Sequence, residues 1–274
     1  MPARHPLRYP VGLLITTLLL CSSFAQATYK EREARWAQQI LEYLTIGKAE
    51  WLNDGQYKFL SIYTEATDNK AKAGVILLHD EGQHPDWPDV ISPLRRGLPA
   101  HGYATLSLQA PILPRGAPIS GYGRALDEAP PRIRAAIKFL RSKGIKRIML
   151  IGHGMGATMA SAYLAQAKDP GITAFAGLAL DAPETQSTIY TLDPRLHAPT
   201  MLAKIRIPVL DLYGSLDRAT IVDAAPKRAK AAASNKKYQQ VKLDYADHFF
   251  TRLDDALVER ISNWFDQYAA TGNN

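Results

Sequence analysis

The sequence has 274 residues, of which 46% are hydrophobic and 22% are charged, an ordinary composition for a soluble globular protein. This length fits one large α/β domain better than two small ones. The formal net charge of +7 is scattered along the chain without a stripe of basic and aromatic residues, so no nucleic-acid partner is expected.

The first 27 residues differ from the rest. Arg4 and Arg8 precede an apolar run over residues 11–20, which ends before Ala25-Gln26-Ala27, a small-x-small cleavage signature. About 20 apolar residues are needed to span a bilayer, so this run is too short for an anchor. We predict a secretory signal peptide over residues 1–27, cleaved after Ala27, and a periplasmic or secreted protein with no transmembrane span after cleavage.

The only cysteine, Cys21, leaves with this signal. A lipoprotein interpretation of Cys21 is disfavoured because Leu20 precedes it, where a small residue is usual. The mature chain, residues 28–274, is predicted to be a single domain without a disulfide, a thiol nucleophile or a cysteine-based metal site.

An amphipathic helix is predicted from Tyr29 to Leu44 at the start of the mature chain, within an N-terminal docking segment at residues 28–50. Ala34, Ala37, Leu41 and Leu44 share one helical face. The polar residues of this helix are mixed in sign, which favours packing on the domain over contact with a membrane.

Strands and helices alternate along the remaining chain. The apolar run at residues 74–79 is typical of a strand buried on both faces, and residues 184–203, with two prolines, are predicted to form a small lid. This alternation predicts an α/β fold with a mostly parallel sheet and helices on both faces. Strands are predicted at residues 56–65, 74–79, 104–109, 147–151, 174–180, 208–213 and 238–245. Helices are predicted at residues 89–101 and 127–143; a further helix follows residue 156, and a terminal helix ends at about residue 268.

The stretch from Arg147 to Gly156 carries the most information. A strand runs into Gly152-His153-Gly154-Met155-Gly156 and then into an Ala-rich helix. This is the frame of the G-x-S-x-G nucleophile elbow, in which a strained turn presents a serine. Glycine stands at the central position, so the chain has the frame of the motif without its nucleophile.

Two further residues occupy the remaining places of a Ser-Asp-His triad in chain order. Asp217 follows a late strand, and His248 lies after the last strand. Asp181, at the end of the preceding strand, is an alternative acid. By position, the backbone N–H groups of Met155 and of the chain near Asp80 would be the oxyanion donors.

On these motifs the chain resembles the α/β-hydrolase superfamily from about residue 56 to residue 268. Within it, Pro85-Asp86-Trp87-Pro88 with Leu94-Arg95, the segment Gly102 to Ser107, and the elbow Gly152 to Ala157 resemble an uncharacterised bacterial family of hydrolase-like domains with secretion signals. The resemblance implies the fold, but it implies no activity, since that family has none assigned.

Two functions remain open. Gly154 cannot attack a carbonyl, and loss of a triad serine costs about two-million-fold in kcat in a studied protease. The first hypothesis is therefore a non-catalytic envelope protein that binds a small molecule or an envelope protein. The alternative is an active hydrolase with a relocated nucleophile, Ser215 or Ser120, or with a water directed by His248 and Asp217.

No cofactor or metal is predicted. His79, His84 and His153 invite a metal interpretation together with Asp80 or Asp86, but no H-E-x-x-H or similar spacing is present. We expect these loop histidines to be polar surface residues.

Overall fold

The computed structural model describes residues 29–68, 70–114, 116–167, 171–183 and 191–269. The predicted signal peptide and residues 184–190 of the predicted lid lie outside these ranges. Within the described ranges, no helix is long and apolar enough to cross a membrane.

One eight-stranded sheet forms the centre of the molecule, in the order β1-β2-β4-β3-β5-β6-β7-β8. The first two strands are antiparallel, and β3 to β8 run parallel to one another. The predicted fold class is therefore confirmed. The strands are β1 (Lys48–Asn53), β2 (Lys58–Thr64), β3 (Ala73–Leu78), β4 (Tyr103–Leu108), β5 (Ile148–His153), β6 (Ala174–Leu178), β7 (Val209–Gly214) and β8 (Tyr238–Leu243).

Helices cover both faces of the sheet. They are α1 (residues 29–43), α2 (Ile91–Gly97), α3 (Tyr122–Ser142), α4 (Met155–Gln166), α5 (Ala198–Leu202), α6 (Ala219–Val222), α7 (Ala225–Ala231) and α8 (Asp254–Ala269). Alternate residues of a strand point to opposite faces. In β3, Ile76 and Leu78 belong to the core that includes α3 and α4, while Val75 and Leu77 belong to the core that includes α2 and α8.

Helix α1 packs on the antiparallel end of the sheet. Ala37 and Ile40 are buried against Leu60 and Ile62 of β2. Leu41, expected on the apolar face, is 44% exposed instead, because the helix turns its Ile40 side toward the sheet.

The helix predicted at residues 29–44 corresponds to α1, but the docking segment predicted to extend to residue 50 is not helical throughout. Helix α1 ends at residue 43, and β1 begins at Lys48. Strand β1 lies at the edge of the sheet and keeps Trp51 half-exposed, so it lacks the apolar run by which the buried strands were found.

The described part of the predicted lid contains a 3-10 helix, Pro194–Leu196, and helix α5. Leu196, Ala198 and Met201 are buried in the core that also holds α3 and α4. The lid stays a prediction for residues 184–190.

Candidate functional site

The turn between β5 and α4 has the geometry that the elbow motif requires. Gly154 adopts φ 52° and ψ −116°, and its N–H donates to the Leu178 carbonyl at 2.9 Å. At Gly156, a Cβ would lie 2.3 Å from the Leu78 carbonyl oxygen. The frame is therefore held by close packing of the turn against β3 and β6, with or without a nucleophile.

The space that a side chain at position 154 would occupy is filled by the carboxylate of Asp80. A Cβ built on Gly154 would lie 2.1 Å from Asp80 Oδ1 and 2.3 Å from Asp80 Cγ. The N–H of Met155 donates to Asp80 Oδ1 at 2.6 Å. An internal carboxylate thus takes the place of the serine and accepts the hydrogen bond that an oxyanion would receive.

His248 joins two carboxylates. Its Nδ1 lies 2.7 Å from Asp217 Oδ1, and its Nε2 lies 3.0 Å from Asp80 Oδ2. The side chain of Asp217 is 0% exposed, and those of Asp80 and His248 are also buried. The structure therefore brings the predicted acid and base together and adds Asp80 where the serine hydroxyl would stand, in a network that we call the Asp80–His248–Asp217 chain.

This network fixes the charge state of the histidine. Burial alone would lower the pKa of His248, but the hydrogen bonds to Asp217 and Asp80 outweigh it and raise the pKa to about 9. Burial would raise the pKa of Asp80, yet the hydrogen bond from His248 holds that pKa well below its usual value. At neutral pH the imidazole is therefore a cation between two carboxylates, and it cannot accept a proton as a general base does.

Both predicted oxyanion donors already have partners. The Met155 N–H is bound by Asp80 Oδ1, and the Asp80 N–H donates to Gln83 Oε1 at 3.2 Å. Asp181, the alternative acid, accepts a hydrogen bond from the N–H of Ala182 at 2.7 Å. It lines the neighbouring cavity, whereas Asp217 is the acid that contacts His248.

A cavity of about 250 Å³ opens beside the network. Among the described residues that line it there is no serine. Ser215 Oγ accepts a hydrogen bond from the Tyr245 N–H at 2.8 Å, and Ser120 lies exposed in a 3-10 helix, Ile119–Gly121. The lining residues are Asp80, Glu81, Ala117, Ile119, Tyr122, Gly154, Met155, Thr158, Ala179, Asp181, Arg218 and His248.

The expectation of surface histidines is wrong for two of the three. His79 and His153 are 1% and 0% exposed, while His84 is partly buried. His79 can be buried because its Nδ1 lies 2.8 Å from the Asp80 carbonyl and its Nε2 accepts the Ala110 N–H. Burial lowers its pKa to about 3, so its ring is neutral.

His153, expected from sequence to be a polar surface residue, lies buried within the site instead. Its Nε2 lies 2.9 Å from the backbone carbonyl oxygen of His248, while its Nδ1 is buried and has no hydrogen-bond partner. Burial lowers the pKa of His153, so the Nε2–H tautomer donates to that carbonyl. Position 153 within the elbow was the available signal, since a residue ending a central strand beside the turn is buried.

Fold and site together define an α/β-hydrolase-like protein without an elbow nucleophile. The chain belongs to the family described as "Protein of unknown function (DUF3530)", whose model matches residues 21–129 and 124–267. No curated protein matches the sequence.

Three solved structures illustrate the likeness in fold. Est1E from Butyrivibrio proteoclasticus is 15% identical with a TM-score of 0.63, over 82% of this chain and 100% of that one. A dienelactone hydrolase from Anabaena variabilis is 18% identical with a TM-score of 0.61, over 81% and 97%. A serine hydrolase without lid from Xanthomonas campestris is 15% identical with a TM-score of 0.60, over 84% and 99%.

Proposed function

We propose that this protein is a pseudohydrolase, which uses the α/β-hydrolase fold to bind a ligand and does not catalyse hydrolysis by the serine mechanism. The observation that carries the proposal is the position of the Asp80 carboxylate. It fills the space of a side chain at position 154 and accepts the Met155 N–H that an oxyanion would need.

The charge of the site supports the same function. A triad histidine must be neutral before it can take a proton from a nucleophile or a water. His248 is held as a cation by Asp80 and Asp217, so it cannot act as the base for a directed water. Its Nε2, which would face the nucleophile, is already engaged by Asp80.

The relocated-nucleophile alternative has less support. Neither Ser215 nor Ser120 lines the cavity, and the hydroxyl of Ser215 accepts a bond from the Tyr245 backbone. His248, which occupies the position of the triad base, has both ring nitrogens bound to carboxylates.

The proposed partner and compartment rest on the predicted signal peptide and on the size of the cavity. We expect a periplasmic or secreted protein, because a signal peptide is predicted, and we propose a small molecule or an envelope protein as its ligand. A cavity of about 250 Å³ is slightly smaller than typical ligand pockets of about 300–1,000 Å³, which suits a small ligand or a short protruding group of a larger one.

Reaction of the purified protein with a fluorophosphonate probe tests the proposal, beside turnover of an ester, thioester and lactone panel. We expect no labelling and no turnover that depends on His248, because no serine is found among the described residues that line the site and His248 is not neutral. His248→Ala is the matched control for background hydrolysis.

A labelled wild-type protein would contradict this proposal. Mass spectrometry of the modified peptide would then identify the nucleophile, and Ser215→Ala and Ser120→Ala would separate the two candidates. Turnover that disappears in His248→Ala without labelling would point to a directed water instead.

A further inference from the structure

Three buried side chains from separate parts of the chain converge beside the elbow. One oxygen of Asp80 and one ring nitrogen each of His153 and His248 lie within 4.8 Å of one another. Asp80 follows β3, His153 ends β5, and His248 follows β8, so all three lie at the carboxyl edge of the parallel sheet. We infer that Asp80, His153 and His248 bind a divalent transition-metal ion such as Zn²⁺.

This inference deepens the proposed binding function, because it names a class of ligand for the same site. Two imidazoles and one carboxylate are a donor set that suits zinc and other first-row transition metals. Mg²⁺ and Ca²⁺ prefer sites built from oxygen ligands, so the two histidines select against them.

The spacing of one ligand pair is already close to that of a metal site. Metal bonds of 2.0–2.2 Å in a tetrahedral arrangement separate two ligand atoms by about 3.3 Å. Asp80 Oδ2 and His248 Nε2 are 3.0 Å apart. A shift of a few tenths of an ångström would let an ion replace the proton that these two atoms share.

His153 supplies the observation that points to a ligand. It is 0% exposed, and its Nδ1 is buried without a hydrogen-bond partner. A buried nitrogen with no partner is unfavourable unless something binds it. Because its Nε2 binds the His248 carbonyl at 2.9 Å, Nδ1 is the nitrogen left to bind a metal.

Each of the three side chains also has the supporting hydrogen bond that metal ligands usually have. His248 binds Asp217 through Nδ1 at 2.7 Å, and His153 binds a backbone carbonyl through Nε2. Asp80 receives the Met155 N–H on Oδ1, which leaves Oδ2 for the ion. These bonds fix the ring orientations before any metal arrives.

The cavity of about 250 Å³ is lined by Asp80 and His248. It gives an ion a route of entry and leaves room for a water as a fourth ligand. Three protein ligands with one open position is a common arrangement for zinc.

Metal binding to purified, chelator-treated full-length protein, expressed without a polyhistidine tag, tests the inference. Co²⁺ is titrated and followed by its visible absorption, and Zn²⁺ is then added in competition with a chromophoric chelator. We expect one equivalent of Co²⁺ per chain, with bands that Zn²⁺ abolishes, and no competition from Mg²⁺.

The variants assign the site. Asp80→Asn and His153→Gln should each weaken binding more than about 100-fold, and Asp217→Asn about 10–100-fold, as expected for a supporting residue. His197→Gln is the matched control, since His197 bonds to Thr200 outside the cluster, and it should bind like wild type. Circular dichroism reports the fold of each variant; should His153→Gln be unfolded, the near-isosteric Asp80→Asn decides.

Absence of one-equivalent binding, or binding that Asp80→Asn and His153→Gln leave unchanged, would overturn the inference. Neither result would alter the fluorophosphonate experiment on which the proposed function depends. Conversely, fluorophosphonate labelling of a serine in the wild-type protein would overturn the proposed function. It would not change the result expected from the metal titration.

Discussion

The position of the Asp80 carboxylate makes a specific prediction about restoring the missing nucleophile. In Gly154→Ser, the new Cβ would lie 2.1 Å from Asp80 Oδ1, far inside van der Waals contact. The substitution should therefore fail to produce an enzyme by itself. Asp80→Gly combined with Gly154→Ser removes the carboxylate, frees the Met155 N–H and leaves His248 beside Asp217.

The cost of the single substitution can be estimated from the structure. A side chain at φ 52° costs about 1–2 kcal/mol, and overpacking a buried site costs about 1–3 kcal/mol. The sum of about 2–5 kcal/mol predicts a fall in Tm of roughly 5–15 °C for a chain of this size. Asp80→Gly in the same chain should recover the part that comes from overpacking.

Fluorophosphonate labelling and thermal unfolding check these expectations together. Gly154→Ser should be destabilised and unlabelled, whereas the double variant should be labelled. Adding His248→Ala should abolish that labelling, because the serine then has no base. Asp80→Gly alone is the control for loss of the carboxylate. Gly154→Ala is the control for a side chain at position 154 that carries no hydroxyl. Equal labelling of Gly154→Ser with and without Asp80→Gly would refute the argument, since Asp80 would then not obstruct the site.

Three further predictions concern charged groups buried in the fold. The pKa of His248 rises from 6.5 to about 9 on folding, so the stabilisation from this group is complete below pH 6.5 and is lost as the pH rises through 9. Allowing for screening by solvent, we expect urea unfolding to show about 2 kcal/mol less stability at pH 10 than at pH 6. A His248→Gln protein that keeps this difference would contradict the assignment. Glu33→Gln breaks the 3.1 Å ion pair between α1 and the buried Arg132. It should lower the free energy of unfolding by about 1–3 kcal/mol and raise the rate of amide hydrogen exchange in α1. Unchanged exchange in α1 would show that the ion pair does not hold the helix on the domain. Asp211→Asn leaves the guanidinium of Arg228, 0% exposed and 2.7 Å away, without its charge partner and should lower the free energy of unfolding by about 3–5 kcal/mol in denaturant titrations; a loss below 1 kcal/mol would show that the pair is dispensable.

Much of the fold could be predicted because its central strands are buried on both faces. Runs such as Gly74 to Leu78 and Ile148 to Ile151 are continuous apolar stretches, and their alternation with helical patterns predicts a parallel sheet. Strand β1 was not found, because it is an edge strand whose residues are mostly partly or fully exposed. The prediction placed Leu41 on the buried side of α1, which is wrong. Ala37–Ile40 and Ala37–Leu41 both fit helical periodicity, so the sequence pattern alone does not distinguish a face with Ile40 from one with Leu41.

The site could be predicted only in part. Gly154, Asp217 and His248 occupy positions fixed by the motif and by the chain order of the strands. For Asp80 the sequence suggests a backbone oxyanion role and a metal interpretation that the spacing disfavours. Nothing in the sequence shows that its carboxylate, 74 positions before Gly154, reaches the space left by a missing side chain. The metal interpretation of His153 is disfavoured from sequence for a similar reason: helical spacing finds metal ligands on one element, whereas Asp80, His153 and His248 come from three.

The central claim is that Asp80 and Asp217 hold His248 as a cation in the place of an active triad. Nitrogen NMR of the His248 ring in metal-free protein tests this most directly. We predict that both ring nitrogens are protonated at pH 7, that the ring titrates near pH 9, and that Asp80→Asn lowers this pKa while an Asp181→Asn control leaves it unchanged. A wild-type His248 that is neutral at pH 7, or a titration that Asp80→Asn does not move, would contradict the account.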